Sequence, residues 1–333
     1  MSVDTLAIEN PESQIEHPMV SLYIPCYNAE RYIAPTLEGV LRQTYSLDEI
    51  LVVDDGSRDR TREIASRYPV RIISHGRNRG VAAARNTGFR DARHELVASL
   101  DADCIPDPDW LEQLVPFMAD AKVGAVSGRV EETHLATVAD RWRKEHLPVA
   151  WGKALVANPP FLFGTNGLYR KSAWERAGGY DEATFRSYGE DVYISRQLRN
   201  LGFELIYTPS ALVKHIKQDT VGSVLNTRWN WWRYGVQAYF KRIRLRSIAA
   251  TFYRAHFRTM FFEHVSQDAR PGRFELLWLD LLCLFYMPYR DLKLYWQTKV
   301  RQARPNSERR TAGPVFDASR GRTIPVSEST RKA

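Results

Sequence analysis

The sequence predicts an α/β protein, a mainly parallel sheet flanked by helices, followed by a helical, basic and aromatic extension. Three observations carry this. Between residues 20 and 100 the short apolar runs VSLYI, EILVV, VRIIS and ELVASL alternate with segments of helical period, as right-handed strand–helix–strand crossovers require. Carboxylates follow two of these runs, in DDGS and LDADC, at the strand ends where open α/β sheets bind ligands. Beyond residue 220 the alternation gives way to sequence rich in Trp, Tyr, Phe and Arg.

Taken in order, residues 20–24 read as a strand ended by Pro25, and Asn28 or Glu30 opens a helix through Arg42 on which Ile33, Leu37 and Val40 recur at helical spacing. Residues 49–53 are a second strand, and Ser57 or Asp59 caps a helix to Tyr68. A third strand at 70–74 leads through HGRNRG to an alanine-rich helix at 81–91. The strand at 95–100 then delivers LDADC. From 131 to 160 the alternation is lost. It returns with FLFGTNGLYR at 161–170, a helix from Glu190 to Gly202 with Val192, Ile194 or Ser195, and Leu198 inward, and a last strand at 203–207.

These elements divide the chain into a flexible tail at 1–17 and a catalytic domain at 18–220, with a nucleotide-binding half at 18–128 and an acceptor half at 129–220. A helical extension at 221–303 and a disordered tail at 304–333 complete it. The amino end is polar and has no apolar core, so no secretory signal is expected. Cys26, Cys104 and Cys283 form no C-x-x-C pair, which suits a reducing, cytoplasmic compartment. The longest apolar run, at 276–289, is too short for a membrane span and carries Asp280. Net charge is +8, but residues 214–310 hold nineteen Lys or Arg against seven Asp or Glu, an excess of +12 that leaves the rest at −4. Such a field attracts nucleic acid, anionic lipid or phosphorylated substrates without choosing among them.

No G-x-G-x-x-G follows the first strand and no P-loop occurs, which argues against dinucleotide and P-loop chemistry. Asp101 and Asp103 instead suit a divalent metal holding a phosphorylated substrate; the plain alternative is helix capping by the acidic residues around 103–109.

Five stretches stand in order: IPCYNAERYI, VVDDGSRDRT, RNRGVAAARNTGF, LDADC and YGEDVYISRQLRNLGFEL. Together they resemble the family-2 glycosyltransferases, inverting enzymes of the GT-A nucleotide-sugar fold, over about residues 18–220. The resemblance implies Pro25, Tyr27, Glu30, Asp55, Arg85 and Asp101 as contacts to the donor nucleotide, Asp55 accepting from the base. It implies Asp103, Asp101 and His215 as ligands of Mg²⁺ or Mn²⁺, and Asp191, beside Glu190, as the catalytic base. Gly164, Thr165, Asn166 and Trp229 fall where sugar and acceptor bind. Each has a plainer alternative: turn residue for Asp55, exposed helical charge for Arg85, helix-end charge for Glu190 and Asp191, core packing for Trp142, Trp151, Trp229, Trp231 and Trp232.

Processive members carry Q-x-x-R-W; here Leu225 precedes Arg228 and Trp229, so transfer of a single sugar is expected. The implied partners are a UDP-, GDP- or dTDP-linked sugar and a glycan or lipid-linked acceptor, as in polysaccharide or cell-envelope synthesis. The basic aromatic stretches at 229–246 and 252–262 would either lie peripherally on the inner face of an anionic membrane or bury against the catalytic domain. From other classes, a basic nucleic-acid-binding protein and a catalytically silent scaffold compete; nucleic acid is disfavoured, and the joint presence of Asp55, Asp101, Asp103 and Asp191 opposes the scaffold.

Overall fold

The computed structural model describes residues 18–185, 187–239, 264–270, 273–303, 315–317 and 322–324. The amino tail, the stretch 252–262 and most of 304–333 lie outside the described residues. Within the last, Val315–Asp317 and Arg322–Ile324 pair as an antiparallel ladder.

The first half is built as the alternation predicts. β1 (Val20–Cys26), α1 (Ile33–Leu41), β2 (Glu49–Asp54), α2 (Thr61–Ala65), β3 (Arg71–Ser74), α3 (Val81–Asp91) and β4 (Leu96–Leu100) follow one another. The four strands lie parallel in the order β3-β2-β1-β4. Leu22, Ile24, Val52, Val97 and Leu100 are fully buried, each contributing about 1.5–3 kcal/mol by leaving water.

β5 (Cys104–Pro106), α4 (Trp110–Leu114), β6 (Val123–Glu132), α5 (Val138–His146), β7 (Val156–Ala157), β8 (Asn166–Arg170), α6 (Lys171–Arg176), α7 (Glu190–Asn200) and β9 (Glu204–His215) continue one nine-stranded sheet, β3-β2-β1-β4-β8-β6-β9-β5, with β7 beside β9. β8 runs antiparallel to β4 and β6, and β5 and β7 run antiparallel to β9; all other ladders are parallel. The expected seam at 128/129 falls inside β6, at a register shift. Gly128 is required there, because a Cβ would collide with the Ala211 carbonyl.

The last strand runs to His215, eight residues past the expected end. Its partners explain the length: β6 pairs as far as Glu132↔His215, and β5 adds Cys104↔His215. α5 went unrecognised in a segment without alternation, although it begins with a capping box, Thr137 accepting from the Asp140 N–H and Asp140 from the Thr137 N–H.

α8 (Val221–Tyr239) and α9 (Phe274–Ala303) form the extension. They pack with α5 around Ala139, Trp142, Val224, Leu225, Leu279 and Cys283. Asp280, the charge inside the apolar run, is fully buried and accepts from Trp142 Nε1 at 2.8 Å. Asp268 accepts from His146 Nε2 at 2.7 Å, and the His146 and His264 rings stack at 4.1 Å. From the stretch 229–234, Trp229 donates to Asp291 of α9 and Trp231 packs against this cluster. No helix among the described residues is long and apolar enough to cross a membrane.

Candidate active site

At the carboxyl end of β4 the chain turns through Asp101 and Asp103 under α1, whose Thr36 hydroxyl donates to the Ala102 carbonyl at 2.9 Å. The Asp101 N–H donates to Thr165 O at 2.9 Å and Ile216 N–H to Asp103 O at 3.0 Å. These bonds draw the ends of β4, β8 and β9 to one point. Around it lies a cleft of about 460 Å³ whose wall includes Arg85, Asp101, Asp103, Gly164, Thr165, Glu190, Asp191 and His215. Eight residues placed in the site by the sequence therefore meet.

Arg85 is the tie. Its guanidinium is 3% exposed; Nη1 donates to Ser99 Oγ (2.8 Å) and Gly164 O (2.7 Å), Nη2 donates to Asp101 Oδ1 (2.8 Å), and Nε stands 3.5 Å from Glu190 Oε1. A Cβ on residue 164 would sit 3.1 Å from Arg85 Nη2 and 3.3 Å from Asp191 Cβ, so only glycine fits without displacing either. Asp191 opens α7 beyond Gly189, which adopts the left-handed conformation at φ 82°. Its carboxylate accepts from Val192 N–H (2.8 Å) and Gly164 N–H (3.3 Å). Burial lifts Asp191 above the usual carboxylate range against those hydrogen bonds and Arg85. Burial and the neighbouring Asp191 push Glu190 up to about 8, with Arg85 opposing.

On the other side His215 Nδ1 lies 2.6 Å from Glu132 Oε2, while Nε2 faces Asp103 Oδ2 at 3.5 Å. Glu132 in turn accepts from Arg143 Nε at 2.8 Å, and Arg143 Nη1 donates to Asp219 at 3.0 Å. Against the cost of burial, Asp103 and Glu132 raise His215 to about 9. Despite burial, His215 holds Asp103 below the usual range; Asp101 is raised by burial, Arg85 opposing. A carboxylate on the far nitrogen of an imidazole whose near nitrogen meets another carboxylate is the arrangement that orients a metal-ligating histidine. Asp103, Asp101 and His215 therefore fit a divalent cation. Glu132 and Arg143 were missed by the sequence reasoning, because a supporting carboxylate has no spacing signature when its strand is not foreseen.

A second cleft of about 520 Å³ lies at the ends of β1, β2 and β3, lined by Tyr27, Ser57, Arg58, Arg62, His75 and Arg77 among others. Asp55 is absent from it. Its carboxylate is 3% exposed and already accepts from His75 Nδ1, the Arg79 N–H and the Gly80 N–H at 2.7–3.1 Å. Those bonds fill the roughly four lone-pair positions of a carboxylate, so Asp55 anchors the loop before α3, and His75 stands at the cleft in its place. Pro25 is buried within β1. Glu30 accepts from the Arg60 N–H at 3.1 Å and stitches two loops together. Neither lines either of these two clefts.

Two acceptor assignments are corrected. Asn166 is 1% exposed, its Oδ1 accepting from Gly128 N–H and Trp110 Nε1 and its Nδ2 donating to Arg129 O, so the core consumes it. Trp229 is 5% exposed, donates to Asp291 and carries the Arg290 guanidinium 4.3 Å over its ring. Its neighbours Trp231 and Trp232 line the cleft instead, with Phe161, Phe163 and Tyr188. Trp142 is wholly buried.

The family described as glycosyl transferase family 2 matches residues 21–178. Glycosyltransferase AglE of Haloferax volcanii is 30% identical over 246 residues, covering 70% of this chain and 78% of that one. The chain belongs to glycosyl transferase family 2. A poly-β-1,6-N-acetyl-D-glucosamine synthase of Staphylococcus epidermidis is 27% identical over 237 residues, 68% of the family-2 chain and 56% of the synthase; the chain thus spans little more than half the length of such relatives. Among solved structures, a mannosyltransferase from Pyrobaculum calidifontis in complex with GDP-Man and Mn²⁺ aligns with a TM-score of 0.58 at 20% identity, covering 84% and 88% of the two chains. GalNAc-T7 with UDP, GalNAc and Mn²⁺ aligns at 0.52 with 18% identity, covering 81% and 55%. The family-2 chain has their GT-A fold.

Buried titratable groups in the site and in the helical packing set a pH dependence of stability. Glu190 (about 8), Asp280 (about 7) and His215 (about 9) all have raised values in the folded chain. A raised group stabilises the fold fully below its unfolded pKa and loses that contribution as pH rises through the folded one. The melting temperature in chelator is therefore expected to fall from about pH 5 to about pH 9. Glu190→Gln, neutral throughout, should flatten the slope; a wild-type stability that climbs across this window would contradict the assignment.

Proposed function

We propose that the protein is a metal-dependent, inverting glycosyltransferase that moves one sugar from a nucleotide-sugar donor to a hydroxyl acceptor. The observation that carries this is the meeting, in one cleft, of Asp101, Asp103 and His215 with Asp191 across from them. The nucleoside stacks on Tyr27 in the cleft beside His75, where Arg58, Arg62 and Arg77 supply positive charge. Asp103 and His215, with Asp101, would hold a divalent cation, which would supply Lewis-acid stabilisation of the charge on a departing diphosphate. Glu132 keeps the His215 ring oriented, and Arg85 fixes Asp101 relative to α7.

The acceptor enters along Trp231, Trp232, Phe161 and Tyr188. Its hydroxyl oxygen bonds the anomeric carbon on the face opposite the leaving group as the bond to the diphosphate oxygen breaks, and Asp191 takes the proton. The relatives that the chain resembles, a mannosyltransferase with GDP-Man and a transferase with UDP, support a nucleoside diphosphate sugar as donor. A glycan or a lipid-linked glycan is the acceptor class.

The test is a thermal-shift series with UDP, GDP and dTDP, each with and without Mn²⁺, on wild type, Asp103→Ala and Glu132→Gln. One nucleotide should stabilise wild type only with metal, and Asp103→Ala should abolish the shift. Glu132→Gln should weaken metal binding about 10- to 100-fold, the usual effect of losing an outer carboxylate. A nucleotide shift independent of metal and of Asp103 overturns the metal-dependent part of the proposal.

A further inference from the structure

α9 is apolar on two faces, and only one is covered. Leu279, Cys283 and Met287 are buried, on the side that meets α5 and α8. Along the other side Phe274, Trp278, Phe285, Tyr289, Leu292 and Trp296 are 45–75% exposed. At about 100° per residue these six fall within an arc of about 60°, opposite the packed face. Isolated exposed hydrophobic residues are ordinary, but a continuous stripe of large ones marks a surface that meets something.

We propose that this stripe seats the protein on an anionic lipid bilayer, with α9 lying along the interface. Three features select that partner. The stripe is led by Trp, Tyr and Phe, the residues that favour the headgroup boundary. Lys293 is exposed beside it, its ammonium 5.9 Å from the Tyr289 ring, where a long cationic side chain reaches outward to phosphate while its stem stays apolar. And α9 itself carries Arg290, Lys293, Lys299 and Arg301 against Glu275, Asp291 and the fully buried Asp280: two copies docked by this helix would bring like charge to like charge, whereas an anionic surface neutralises it. Of the two alternatives that the sequence left for 229–246, Trp229 is buried and Trp231 and Trp232 line the cleft, while 240–246 and 252–262 lie outside the described residues. The proposal rests on this face alone and stands whether or not the catalytic reading does.

The test is sedimentation of the full chain with neutral phosphatidylcholine vesicles and with vesicles containing phosphatidylglycerol, alongside Phe285→Glu/Leu292→Glu, whose sites are exposed. Light scattering after size exclusion reports self-association, and the melting temperature reports folding. Wild type should pellet with the anionic vesicles, weaken in high salt, and bind neutral vesicles poorly; the double variant should bind about tenfold more weakly or worse while melting as wild type does. The single Lys293→Glu change, also at an exposed site, should weaken anionic binding without touching the apolar stripe. Wild type failing to pellet, or the double variant pelleting equally well, overturns the proposal. So does a wild-type dimer that the double variant dissolves without any vesicle binding, which would assign the stripe to a second copy.

Discussion

Asp191→Asn lowers kcat about 10²- to 10⁴-fold, the range general-base catalysis supplies, while donor affinity and fold survive. The argument follows from how the carboxylate is held. Its two hydrogen bonds come from the Val192 and Gly164 amides, and an amide side chain of the same size keeps an oxygen for one of them. Because burial already disfavours the charged form of Asp191, a neutral replacement loses little stability. What it loses is the capacity to take a proton. The pH profile should separate these effects: wild-type kcat/KM falls on the acid side at higher pH than an ordinary carboxylate dictates, since the base must be ionised and its pKa is raised. The variant should lack that limb. Steady-state kinetics showing Asp191→Asn within about tenfold of wild type would remove the residue from the base role.

Much of the scaffold was legible because local pattern and tertiary environment agree there. α3 occupies the residues its alanines predicted, and on α7 Val192 and Leu198 face inward as its period implied, with both Ile194 and Ser195 buried where one of the two was expected. The cleft residues on strand ends and helix starts were legible for the same reason: Asp101, Asp103 and Asp191 sit at boundaries that sequence marks. What escaped depends on pairing across the sheet. Glu132 is positioned by its ladder with His215, a relation between residues 83 apart that no local period contains. Asp55 and Asn166 escaped for the opposite reason. Each looks like a ligand contact in a turn, yet both spend their hydrogen-bonding capacity on partners that only the folded chain brings near, Asp55 on His75 and the Arg79 and Gly80 amides, Asn166 on the Gly128 amide, the Trp110 indole and the Arg129 carbonyl. Trp229 and Trp231 are two residues apart on one helix, so their faces differ by about 200°, and the sequence could not say which face met the cleft.

Arg85→Met is expected to destabilise the protein by about 3–5 kcal/mol, the cost of removing one partner from a buried ion pair. The side chain is nearly isosteric, so volume is not the issue; the loss is charge and donors. In wild type one guanidinium satisfies Ser99 Oγ, Gly164 O and Asp101 Oδ1 while standing beside Glu190. Without it, Asp101 and Glu190 lose the cation between them, and the Gly164 carbonyl keeps only the Ser99 hydroxyl at 3.4 Å. The effect should grow with pH. Arg85 lowers both Glu190 and Asp101 against burial, so in its absence both titrate higher; below those values they are protonated and tolerated, above them they are unpaired charges. Denaturant unfolding at pH 6 and at about pH 9.5 checks this, the larger loss being expected at the higher pH. Arg85→Lys distinguishes charge from geometry: a single ammonium restores the cation but not the planar fork that reaches three elements at once. It should recover the pH dependence more fully than the stability, and a lysine variant as stable as wild type would mean that the fork is dispensable.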